Sequence, residues 1–231
     1  MKKLVFVLIA SLLYALAFAV GPMDSLKSYK SAFKISQRSS SHMDINFSLP
    51  EYQIETKSYG NKNYQRIVLP DAGTLMESGM PELPVITTSI AVPHSGSVNI
   101  EVLGSDQRIV SNFEAYPLQE GADLDVPKAF QKNMDYYSNG SNYPVESIRY
   151  SDPMILRDFR IVTIQINPFS YDASTHQLTV KDNIQMRVNF TNTPGVNELP
   201  APVQYISPSF DKVYQSRSEE RRVGKECRSR W

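Results

Sequence analysis

Residues 155–190 read ILRDFRIVTIQINPFSYDASTHQLTVKDNIQMRVNF, and the spacing of apolar residues in them decides the fold. Across Phe159–Ile166, Gln177–Val180 and Ile184–Phe190 apolar side chains recur at every second position. That is the period of a half-buried strand, not the 3.6 of a helix. Ile184, Met186, Val188 and Phe190 fall on one face. Pro168 follows the first strand, and the polar run SYDASTHQ is a hairpin-type connection before the next, which fixes their register.

Working upstream, the same period continues. Met43, Ile45, Phe47 and Leu49 alternate with polar residues, and Val98, Ile100 and Val102 share a face. Further strands are predicted at Tyr52–Tyr59, Gln65–Leu69, Val85–Val92, Ser97–Leu103 and Gln107–Ala115. Gly and Pro interrupt the chain too often for long helices, and VPHSGSV is a second turn-rich connection. The one long irregular stretch is Tyr116–Pro153, in which Asp125-Val126-Pro127 is suited to capping a brief helix over Lys128–Tyr136. The pattern predicts an all-β fold over residues 43–195: an antiparallel β-sandwich with one long irregular loop and little helix. Ile100, Val102, Ile164, Ile166, Val188 and Phe190 are its expected core.

The ends read differently. Lys2 and Lys3, an apolar run from Leu4 to Phe18 and Ala17-Phe18-Ala19 make residues 1–19 a secretory signal peptide of bacterial style. Residues 20–42, with Ser39-Ser40-Ser41, read as a linker, and residues 196–216 as a connector to a further domain. Residues 217–231, RSEERRVGKECRSRW, hold the only Cys and the only Trp of the chain. They back-translate to a string similar to a common sequencing adapter, so the tail reads as an artefact and Cys227 as foreign to the natural protein. Of 24 basic and 24 acidic groups, two lysines lie in the leader and six basic and three acidic groups in the tail. Residues 20–216 keep 16 basic against 21 acidic, a net of −5 that argues against nucleic-acid binding.

Chemistry-bearing patterns are sparse. His42, His94 and His176 are far apart and read as solvated residues of turns or linkers, so no metal or other cofactor is expected. Asp123 and Asp125 in GADLD read as an exposed acidic turn rather than a calcium loop. Tyr143 in YSNGSNYP reads as loop packing before a sugar platform. No nucleophile, base and oxyanion donor assemble, so the body is not expected to be an enzyme.

Two blocks carry a family resemblance. SGMPELPVITTSIAVPHSGSVNIEVLGSD contains Gly79, Pro81, Leu83 and Pro84, then a strand ending at Pro93, a turn and a Val-x-Ile-x-Val strand. The stretch quoted first contains Arg157, an apolar strand, Pro168 and Tyr171 in an aromatic-Ser-Tyr-Asp turn, and a closing hairpin. In order and spacing these resemble the propeptide of gingipain-type cysteine peptidases, over roughly Tyr64 to Tyr214. The resemblance implies a precursor with a signal peptide, a β-rich prodomain and a Cys-His catalytic domain, often followed by a domain read by a Bacteroidota-type secretion system. It implies export through the periplasm to the cell surface or medium, with no membrane attachment of the mature form. The prodomain of such a precursor assists folding and covers the active-site cleft of its catalytic domain, its partner in cis.

The segment best suited to that cover is Tyr116–Pro153, long, irregular and anchored by strands at both ends. Its basic residues are Lys128, Lys132 and Arg149. Gingipains proper prefer basic residues, so the resemblance implies that one of the three enters the peptidase's specificity pocket. Two other readings stay open at this point: a secreted adhesion or carbohydrate-binding sandwich, and the prodomain of a non-proteolytic secretion-machinery relative.

Overall fold

The alternation of Phe159–Ile166 places Arg160, Val162, Ile164 and Ile166 inward, with half-buried residues between them. This strand is at the centre of one of two facing sheets in a computed structural model, which describes residues 32–119, 129–157 and 159–200. In chain order the first strands are β1 (Phe33–Arg38), β2 (His42–Ser48), β3 (Gln53–Tyr59), β4 (Lys62–Val68) and β5 (Gly73–Thr74). They are followed by β6 (Pro84–Val92), β7 (Val98–Ser111), the helix α1 (Met134–Asn139), β8 (Ile148–Tyr150) and β9 (Met154–Leu156). The last three are β10 (Phe159–Ile166), β11 (Phe169–Asp172) and β12 (Gln177–Phe190).

One sheet runs β1-β2-β12-β11, with β7 along the other side of β12. The second runs β5-β6-β10-β8, with β9 also on β10, and β3 and β4 form a separate hairpin. These strands pair antiparallel, and an isolated parallel bridge joins Gln65 of β4 to Ala115. The inward residues of the two sheets meet in one apolar cluster. Met43, Ile45 and Phe47 come from β2, Ile86 and Ile90 from β6, and Ile184, Met186 and Val188 from β12. Two sheets whose alternate residues interdigitate this way form a β-sandwich.

Several expectations are corrected. Val102 is 49% exposed, because β7 is an edge strand and the facing layer covers only Ile100 there. Phe190, the last residue of β12, is half-buried at the rim. The four short strands expected on either side of this pairing are two strands of 14 residues. Register shifts at Lys181/Asn183 and Gln185/Met186 let the ladder continue past its polar breaks. The SYDASTHQ connection is half strand, since β11 pairs with β12 and the turn is confined to residues 173–176. β1 lies inside the segment read as a linker, where Phe33 packs on Phe47 at 5.3 Å and the serines 39–41 form the turn into β2. The helix begins at Met134 rather than Lys128, capped by the Asn133 side chain, which accepts from Tyr136 N at 3.0 Å. Asp123, Asp125, the signal peptide and the tail with Cys227 lie outside the described residues.

Candidate functional site

The long excursion is closed at a neck. Gln119 Nε2 donates to Gln131 O at 2.8 Å and to Pro117 O at 2.9 Å, while its Oε1 accepts from Gln131 N at 2.9 Å. A side-chain amide here satisfies backbone groups as a neighbouring strand would. The first family block forms the wall of this neck. Gly79 N donates to Leu118 O at 2.8 Å, and Gly79 O accepts from Asn133 N at 3.0 Å, so one residue holds both ends. Gly79 has φ +76°, and an added β-carbon would sit 3.0 Å from Asn133 N, which explains glycine there. Leu118 N donates to Met80 O at 2.7 Å, and Pro81 lies opposite Pro117. Leu83 is buried in the core, and Pro84 begins β6, where its missing N–H is tolerated.

Below the neck, tyrosines tie the excursion to the sandwich. Tyr137 Oη donates to Ala115 O at 2.9 Å, Tyr136 Oη to Tyr171 O at 2.6 Å, and Tyr143 Oη to Glu77 Oε2 at 3.0 Å. Burial pushes the phenols of Tyr136, Tyr137, Tyr143 and Tyr171 well up, so they remain donors. Tyr143 is thus engaged in packing: its ring lies 5.8 Å from Tyr136, and a sugar platform gains no support. Tyr171 itself is fully buried, and its backbone pairs with Tyr143.

Glu114, just before the excursion, is the electrostatic centre of this region. Its carboxylate receives Lys62 Nζ at 2.6 Å, Lys132 Nζ at 3.3 Å and His176 Nδ1 at 2.9 Å. Burial raises the Glu114 pKa, but the bonds and charges of Lys62 and Lys132 outweigh it and hold the group below its ordinary value. Burial likewise holds Lys132 below the usual lysine value, and its ammonium sits 4.3 Å from the Tyr137 ring centroid. Glu114→Gln is expected to lower stability by about 2 kcal/mol at neutral pH, the scale of a charged hydrogen bond. The folded pKa of Glu114 is depressed, so its contribution is present above the ordinary carboxylate range and is lost as pH falls through the lowered value. Melting curves of both chains across pH should therefore converge in acid; a constant gap would contradict the role of the charge.

The three basic candidates separate. Lys132 is committed to Glu114 inside the fold. Arg149 stands on β8 with its side chain 58% exposed, and its Nε donates to Glu146 at 2.8 Å. Lys128 lies outside the described residues. Of the second family block, Pro168 O accepts from Lys181 N at 2.8 Å, and Arg157 occupies a turn with φ +56°. Pro93 O accepts instead from Arg160 Nη1 at 3.1 Å.

Sequence reasoning passed over Glu114 and Arg160. Arg160 was legible, since the β10 alternation puts it on the inward face, whereas Glu114 has only spatial neighbours to mark it. His42 and His176 are also not simple solvated residues: His42 Nδ1 meets Ser39 Oγ at 3.0 Å, and His176 bonds Glu114. No group of metal-binding side chains occurs among the described residues.

A family model described as Propeptide_C25 matches residues 30–206. Lys-gingipain HG66 of Porphyromonas gingivalis is 25% identical over 227 residues, covering 93% of this chain and 13% of that protein. Gingipain R1 of the same organism is 28% identical over 130 residues, 54% of this chain and 13% of the relative. The chain thus spans about an eighth of the length of these curated relatives. A solved complex of the Porphyromonas gingivalis RgpB pro- and mature domains shares the fold at a TM-score of 0.71 and 20% identity. The match covers 83% of this chain and 97% of the solved one. A structure addressing zymogenic latency of gingipain K from Porphyromonas gingivalis matches at 0.60 and 22% identity, covering 73% and 96%. With the sandwich fold and the family match in agreement, the chain belongs to the Propeptide_C25 family and is a non-catalytic gingipain-type propeptide.

Proposed function

We propose that this propeptide assists the folding of a gingipain-type cysteine endopeptidase domain and holds it latent by laying the Tyr116–Pro153 excursion over its active-site cleft. The observation that carries this is the neck. Gln119 and Gln131 hold the two ends of the chain between them at one closed point, walled by the block around Gly79. A contact segment on such a base reaches a cleft while the sandwich stays rigid. The peptidase domain is the partner in cis, and the leader directs the precursor out of the cytoplasm to the surface or medium. Lys128, which falls between Gln119 and Gln131 in sequence, and the exposed Arg149 of β8 remain the candidates for the specificity pocket, Lys132 being tied to Glu114.

The test adds the chain to the catalytic domain encoded with it in an intact gene and measures peptidase activity. Concentration-dependent inhibition is expected. Full activity up to about 10 µM propeptide, where an affinity weaker than ~7 kcal/mol would still escape detection, would overturn the latency reading.

A further inference from the structure

Arg160 is the largest fully buried side chain of the sandwich, 1% exposed, and its guanidinium is aimed at backbone carbonyls. Nε and Nη2 both donate to Val196 O, at 3.0 and 2.7 Å. Nη1 donates to Gly96 O at 2.7 Å and to Pro93 O at 3.1 Å. The same two segments are joined by a carboxylate of opposite charge. Glu198 Oε1 accepts from Gly96 N and from Gly195 N, each at 2.8 Å. Leu199 N donates to His94 O at 2.8 Å, and Asn197 Nδ2 donates to Pro153 O at 2.8 Å. The residues at 195–199 thus lie beyond the last strand, on the turn joining β6 to β7, with cation on carbonyls and carboxylate on amides.

We propose that the Pro93–Gly96 turn and Arg160 form a peptide-binding site whose ligand is the chain's own exit segment, Gly195–Leu199. Recognition is of a turn at Val196–Asn197, through backbone groups and one acidic side chain in charge-assisted hydrogen bonds. The fit is close: a β-carbon on Gly195 would collide with Gly96 O and come 2.6 Å from Arg160 Nη2. A segment held this way does not enter a protease cleft, which requires an extended, accessible backbone. Glu198 stays exposed, but docking fixes the backbone around it in a turn, with Asn197 at φ +54°, and so directs processing of the precursor to chain beyond Leu199. That last consequence rests on the propeptide reading; the docking does not.

The experiment uses the full chain, with amide exchange followed at Gly96, Gly195 and Leu199 and cleavage after Glu198 by a Glu-specific protease. In the natural sequence these amides should exchange about tenfold or more slowly than in an unstructured peptide. Gly195→Ala and Glu198→Ala should each raise exchange at those amides about tenfold, leaving β10 and β12 amides unchanged. Gly195→Ala should also speed cleavage after Glu198 by a similar factor. Arg160→Met should do the same if it folds; if it does not, Gly195→Ala decides. Unprotected amides in the natural sequence, or equal cleavage rates in the natural chain and Gly195→Ala, would overturn the proposal. Loss of inhibition in the peptidase assay with exit-segment protection intact would sink the latency reading and leave this one standing.

Discussion

The Ile164→Asp chain should show no cooperative unfolding transition at 25 °C. Ile164 is fully buried on β10, opposite Thr88 of β6 and Tyr150 of β8. Removing a buried isoleucine side chain costs about 2–5 kcal/mol. An unpaired carboxyl there must also be protonated, and raising a carboxyl pKa by ~3 units to neutrality costs about 4 kcal/mol. The total approaches the whole stability of a domain, about 5–15 kcal/mol. Val102→Asp is the control, because Val102 is 49% exposed on edge strand β7 and should change stability by less than about 1 kcal/mol. The measurement is thermal unfolding by circular dichroism. A normal transition for Ile164→Asp would mean that the face of β10 is assigned wrongly.

The contrast between those two positions shows what the sequence carried. Period-two alternation gave the inward face of β10 and β12, since that pattern is imposed residue by residue. It could not say that β7 is an edge strand, because coverage depends on the strand across the gap, and Val102 alternates as well as Ile100 does. It also divided β7 and β12 at polar residues that register shifts absorb. Arg160 was written in the phase of its strand and overlooked because a cation is not counted among core residues. The neck was half-visible: the glycine and prolines of the first block were marked, but their partners Pro117, Leu118 and Asn133 lie far along the chain. Glu114 gathers its partners Lys62, Lys132 and His176 from three distant segments, and spacing along one sequence holds no trace of that.

Loss of one cation from the excursion should be the largest functional effect. Lys128→Ala or Arg149→Ala is expected to weaken inhibition of a base-preferring peptidase by about thirtyfold to several thousandfold. This corresponds to about 2–5 kcal/mol for removing one partner from a buried charged contact. Arg108, which bonds Asp182 and Tyr52, and Lys181 serve as controls away from the excursion. Lys132→Ala should act differently, lowering stability through Glu114 while changing inhibition only in proportion to the unfolded fraction. Inhibition constants and melting temperatures on the same set of chains separate the two. Equal inhibition by Lys128→Ala and Arg149→Ala would remove the basic plug and shift attention to aromatic cover, although Phe130 is stacked on Tyr59 at 3.9 Å.

The closed neck has an entropic consequence for any partner that grips the residues beyond it. The chain between the two closed ends is about 11 residues long; without the Gln119–Gln131 and Gly79 bonds the next anchors are Tyr116 on Gln65 and the Tyr136 hydroxyl on Tyr171, and the loop grows to about 19 residues. Chain-closure entropy grows as (3/2)RT ln n, so the shorter loop costs about 0.5 kcal/mol less to close. That difference is about twofold in affinity, gained with no contact to the partner at all. Lengthening the segment by insertion should therefore weaken binding gently, and Gly79→Val combined with Gln119→Ala, which opens the base, should weaken it by about twofold.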